Sequence, residues 1–132
     1  MKSFFIATAF LYVIPSFAAK FPCPKEIKAK QTLSGIKKNW QAWNDPQAVH
    51  ILKAVDFYSR HPKQMAQLAP DNKDVPDQDP FWTFVPKDEI WQVCLYQDTS
   101  VRLIKKLGKN LKRCEVKYNK ISKPQIDSVD CE

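Results

Sequence analysis

Four cysteines, Cys23, Cys94, Cys114 and Cys131, all lie downstream of a stretch that reads as an export signal, and this combination constrains the fold more than any other feature. Residues 1–18 have the three parts of a secretory signal. Lys2 supplies the positive start, and residues 4–14 form an uncharged, mostly apolar run shorter than the roughly 20 residues a spanning helix needs. Ser16-Phe17-Ala18 then sets small residues at the −3 and −1 positions, which predicts cleavage after Ala18 and a mature chain of residues 19–132. Cys23 sits too far beyond that point for a lipid anchor. The expected location is the periplasm or the exterior.

An even cysteine count in a small exported domain reads as two disulfides. Four cysteines allow three connectivities. Residues 114–118 and 126–131 read as strands around a Lys123-Pro124 loop, and setting Tyr118 opposite Asp127 puts Cys114 opposite Cys131. Cys23 is then left to meet Cys94. Zinc is the rival use of four sulfurs, but no Cys-x-x-Cys spacing occurs.

Among 132 residues, 44% are hydrophobic and eight Phe, four Tyr and four Trp are present, enough for a packed core and against disorder. Only two glycines occur, which disfavours a glycine-cradled nucleotide site. The expected architecture is one small, mainly β domain, with α+β as the alternative: an antiparallel meander stapled by two disulfides. Residues 81–85 and 90–96 read as a hairpin about Pro86-Lys87-Asp88-Glu89. Residues 101–107, 111–118 and 126–131 follow as strands, with a tight turn at Gly108-Lys109-Asn110. Residues 70–80 are a loop of turn formers. Trp82, Trp91, Leu95, Leu103 and Val116 are the expected core, with Trp40 and Trp43 covering one side of the sheet.

Residues 45–58 carry two periods at once. Asn44-Asp45-Pro46 suits a helix start, and Ala48, Ile51, Leu52 and Val55 share a helical face. Val49, Ile51, Val55 and Phe57 alternate as a strand does.

A resemblance enters with Phe57-Tyr58-Ser59-Arg60-His61-Pro62, then Met65-Ala66 and Leu68-Ala69-Pro70-Asp71. Ile90-Trp91, Cys94, Tyr96, Thr99, Leu103, Leu107, Cys114, Val116, Tyr118, Val129 and Cys131 continue it, with Cys23-Pro24 near the start. Together these resemble the STY-type exported proteins of Gram-negative bacteria, a family of unknown function. The resemblance implies a disulfide-bonded, mainly β domain without an attached enzyme activity, and it favours strand for residues 51–58. Two departures stand out: Arg60 replaces the family's usual glycine, and Gly108 stands where proline is common.

Catalytic chemistry is sparsely provided. His50 reads as a partly exposed position and His61 as a turn residue before Pro62. Paired cysteines offer no thiolate, and Ser34, Ser59, Ser100, Ser122 and Ser128 stand in no nucleophile elbow. Asp88 and Glu89 are adjacent in a turn and point apart. Asp71, Asp74, Asp77 and Asp79 lack the spacing of a calcium loop. No cofactor and no metal is expected.

Charge is the suggestive feature. Lys and Arg number 21 against 14 acids, and residues 101–123 hold nine bases against Glu115 alone. Arg102, Lys105, Lys106, Lys109, Lys112, Arg113 and Lys117 are the candidate anion-binding set. On a β-hairpin they would line one narrow ribbon facing anionic lipid or another polyanion. Nucleic acid fits less well, because export separates the chain from most of it. The leading expectation is a monomeric, non-catalytic interaction module with a macromolecular or envelope partner. The alternatives are an anionic-membrane binder acting through residues 102–123, and a small envelope hydrolase near Trp40, Trp43 and the acidic loop.

Overall fold

The computed structural model describes residues 18–121 and 125–132. The expected signal segment, apart from Ala18, and the Lys123-Pro124 loop lie outside the described residues.

Among the described residues, nine strands and one 3-10 turn follow in chain order: β1 Ala19–Lys20, β2 Glu26–Ile27, β3 His50–Ser59, the turn Pro62–Gln64, β4 Gln67–Leu68, β5 Phe81–Thr83, β6 Ile90–Tyr96, β7 Arg102–Lys106, β8 Arg113–Tyr118 and β9 Ile126–Cys131. They form two antiparallel sheets. One runs β1-β9-β8-β5; the other runs β2-β3-β6-β7, with β4 also on β3. The mainly β, twice-bridged fold is as the sequence predicts.

The sheets face each other across a single core. Leu52, Val55, Phe57, Ile90, Cys94 and Tyr96 from one meet Trp82, Cys114, Val116, Ile126, Val129 and Cys131 from the other. Phe57, fully buried, joins them: its ring lies 4.9 Å from Trp82 edge-on and 5.6 Å from Phe84. Trp82 also donates its indole N–H to Leu68 O at 3.1 Å, satisfying the one polar atom of a buried ring. Buried Gln92 is satisfied in turn, donating to Phe21 O at 2.9 Å and lying 3.2 Å from Cys23 Sγ.

β3 resolves the double period of residues 45–58. Its register against β6 shifts between Leu52 and Ala54, a bulge that leaves Lys53 without an opposite number. Before the bulge, His50 and Leu52 point inward; after it, Val55 and Phe57 do. The extra residue converts a spacing of two into one of three, which imitates a helix. At the expected helix start, Asp45 instead closes a turn, accepting from Gln47 N at 2.8 Å and from Ala48 N at 3.2 Å.

Both disulfides are Cys23–Cys94 and Cys114–Cys131, the pairing expected. Arg113 and Glu132 exchange two backbone hydrogen bonds, at 3.2 and 2.9 Å, which makes the adjacent Cys114 and Cys131 a close, non-hydrogen-bonded pair with Cα atoms 4.1 Å apart. Tyr118 stands opposite Ile126 rather than Asp127, because the register shifts after Lys117.

Several expectations need correction. Residues 81–85 and 90–96 do not form a hairpin: β5 pairs with β8 and β6 with β3 and β7, so the turn at 86–89 carries the chain between sheets. Leu103 is 38% exposed because β7 is an edge strand, and Trp91 and Leu95 are half-buried on the outer side of β6. Trp82 and Val116 are core residues as expected. Trp40 and Trp43 cover no sheet; they are 75% and 80% exposed. His50 is buried rather than partly exposed, since the inward phase of β3 begins with it.

Candidate interaction surface

The seven candidate basic residues do not share a ribbon. β7 and β8 lie in different sheets, so Arg102, Lys105 and Lys106 stand apart from Arg113 and Lys117, with Lys109 and Lys112 in the connection. Three already have acidic partners. Lys106 Nζ is 2.8 Å from Glu89, Arg113 is 3.8 Å from Glu115, and Lys117 Nζ is 3.1 Å from Asp130. Lys105 Nζ lies over the Phe21 ring, 5.7 Å from its centroid. The turn at 108–110 takes its left-handed residue from Asn110, φ 67°, and not from Gly108.

All five residues of β7 are exposed, and β7 pairs only with β6 among the described strands. Leu107 N donates to Ile90 O at 2.9 Å. By antiparallel alternation, Leu103 and Lys105 bond inward, leaving the backbone groups of Arg102, Ile104 and Lys106 along the free edge. Cationic side chains on such an edge discourage stray strand pairing. That is a structural use for this part of the basic segment.

The outer face of the same sheet carries a polar cluster. Glu89 accepts from Trp91 Nε1 and from Lys106 Nζ, both at 2.8 Å, and His61 packs on Trp91 with ring centroids 4.6 Å apart. The hydrogen bond from Lys106, then that from Trp91, holds the Glu89 carboxyl below its ordinary range. His61 caps the 3-10 turn, its Nδ1 accepting from Lys63 N at 3.1 Å, so it is the turn residue expected. These groups fasten residues 60–65 to β6. Each is occupied by its neighbour rather than aimed at a common point where a substrate would react.

The acidic loop is likewise engaged with backbone. Asp71 accepts from Thr83 N and Asp79 from Tyr118 N, both at 3.1 Å, while Asn72 bridges Phe81 N and Asp79 O. The loop therefore walls an open groove of about 830 Å³ on the outer side of β5 and β8. Arg113 covers the Phe81 ring there at 4.3 Å. Burial raises the Tyr118 hydroxyl pKa, helped by the negative charges of Asp56 and Asp79. Charges of both signs line the groove, which suits a polar protein surface better than one anion.

Four large apolar side chains are exposed together elsewhere, in the long connection from β2 to β3: Leu33, Ile36, Trp40 and Trp43. Tryptophan spacing gave no sign of this exposure. The available signal was the weak periodicity of residues 28–44 together with four lysines and no acid.

A family described as Type VI secretion system Tli immunity protein matches residues 45–132. No curated protein and no solved structure matches.

Proposed function

The chain belongs to the Type VI secretion system Tli immunity protein family, and from that membership we propose that it is a non-catalytic periplasmic module that binds a type VI effector and blocks it. The carrying observation is the extent of the match, which runs from the turn before β3 to the end of β9 and takes in most of both sheets. Two disulfides support an oxidising compartment. A scaffold so cross-linked changes shape little on docking, which suits tight inhibition by surface complementarity.

The test is neutralisation. A candidate type VI effector is directed to the periplasm of a host, alone or with the full chain. Restored growth with the exported chain, and none with a form lacking residues 2–18, is the expected result. Continued killing at equal protein levels would refute the reading.

A further inference from the structure

Residues 28–49 connect two antiparallel strands, β2 and β3, with no strand or helix of their own. Connections of this length inside a compact domain are uncommon and are usually functional or disordered. This one is built. Gln31 and Asn44 close its neck with two hydrogen bonds, Asn44 Nδ2 to Gln31 O at 2.7 Å and Gln31 N to Asn44 Oδ1 at 3.3 Å. Trp40 N donates to Lys37 O at 3.1 Å, and Gly35 and Asn39 take left-handed turns at φ 70° and 74°. Below the neck, Cys23–Cys94 and the β2–β3 pair hold the stem to the domain.

The loop places apolar bulk in water. Trp40 and Trp43 are 75% and 80% exposed, Leu33 69% and Ile36 46%. Every residue from 30 to 47 is exposed. Four large apolar side chains on one loop, two of them tryptophan, have the composition of interface anchors. Lys28, Lys30, Lys37 and Lys38 surround them with no acid from 28 to 44. Residues 31–44 also lie wholly outside the family match, which begins at residue 45.

We infer that residues 31–44 are the specificity loop of this immunity protein: Trp40 and Trp43 anchor in an apolar cleft of its effector whose rim is acidic. This rests on the proposed function and adds the contact surface to it. The shared sheets supply the scaffold, and a loop outside the shared region selects one effector. Charge complementarity sets the rim, since four exposed lysines without an acid favour an anionic partner surface. The clasped neck limits the ordering cost on binding. Tryptophan and lysine also suit an anionic lipid surface; the immunity-protein family match favours a protein occupant, and vesicles test the other.

The experiment compares the oxidised wild-type chain with Trp40→Ala, Trp43→Ala and their double variant against that candidate effector. Lys105→Ala/Lys106→Ala serves as a control on β7, with circular dichroism and disulfide mapping to show that all are folded. A second loop variant, Lys37→Glu/Lys38→Glu, keeps the apolar side chains and reverses the rim charge. Expected are losses of about 30-fold or more for each tryptophan variant, a clear loss for the charge reversal, and less than about threefold for the control. Full-strength binding by the double variant would overturn the loop assignment and leave the proposed function standing. Absence of wild-type binding would overturn both. Vesicles of phosphatidylglycerol and phosphatidylethanolamine, and sedimentation of the chain alone, complete the set. Tryptophan-dependent vesicle binding or self-association, with effector binding unchanged, would also overturn it.

Discussion

Asn44 clasps Gln31 through both ends of its side-chain amide, and this contact separates an exposed loop from the disulfide-held domain beneath it. Asn44→Ala should open the neck while sparing the core. Unfolding free energy is expected to change by about 0.5 kcal/mol or less. Amide exchange across residues 31–44 should quicken, and effector affinity should fall by about three- to tenfold from lost preorganisation. Exchange mass spectrometry and titration measure the two effects.

Reducing the bridges separately should rank them by loop length. In the chain-entropy account, Cys23–Cys94, spanning 71 residues, contributes about 4 kcal/mol, and Cys114–Cys131, spanning 17, about 3 kcal/mol. Urea unfolding of Cys23→Ser/Cys94→Ser and Cys114→Ser/Cys131→Ser is expected to show the larger loss in the first. It should also loosen the stem of the loop, because β2 is short and Cys23 is its nearest covalent anchor.

Asp56 gives a pH signature. Burial raises its carboxyl pKa, and the nearby Arg102 charge only partly opposes this. A raised folded-state value means that the protonated form is favoured on folding. The resulting stability is fully present below the unfolded-state pKa and is lost as pH rises through the folded one. Asp56→Asn retains an acceptor for Gln67 Nε2, now 3.0 Å from Asp56 Oδ2, and removes the half-buried charge. The variant should be more stable than wild type at pH 7, with the advantage shrinking as pH falls through that window.

Arg60 adopts φ 72°, a left-handed conformation that only glycine takes without strain, while its N–H donates to Glu89 O at 2.7 Å. Arg60→Gly keeps that bond and relieves the strain, at some cost in unfolded-chain entropy. A net gain of about 0.5 kcal/mol is expected, and Arg60→Ala should give none. Chemical denaturation distinguishes them.

The sequence made the strands and bridges legible wherever alternation ran unbroken. Cys114 and Val116 in β8 and the register to Cys131 came directly from a period of two. It left helix and strand open at β3, where one inserted residue, Lys53, shifts the phase and makes strand positions look helical; the strand that the resemblance favours for residues 51–58 is the one observed. It misled at 81–96, because turn residues identify a turn but not whether the next strand returns to the same sheet. Leu103 has core chemistry on an edge strand, and edges are a property of topology that no local pattern carries. The basic segment was visible as charge, yet its division between two sheets was not. Hydrophobicity alone suggests that Trp40 and Trp43 cover one side of the sheet; their exposure follows from a clasped loop whose two neck residues lie 13 positions apart.

The central claim is tested most directly by calorimetric titration of the oxidised, processed chain into the purified candidate effector. The account predicts a saturable one-to-one complex that abolishes effector activity at equivalence and is lost in Trp40→Ala/Trp43→Ala. Undiminished effector activity with no heat of binding at micromolar concentrations of both proteins would contradict it.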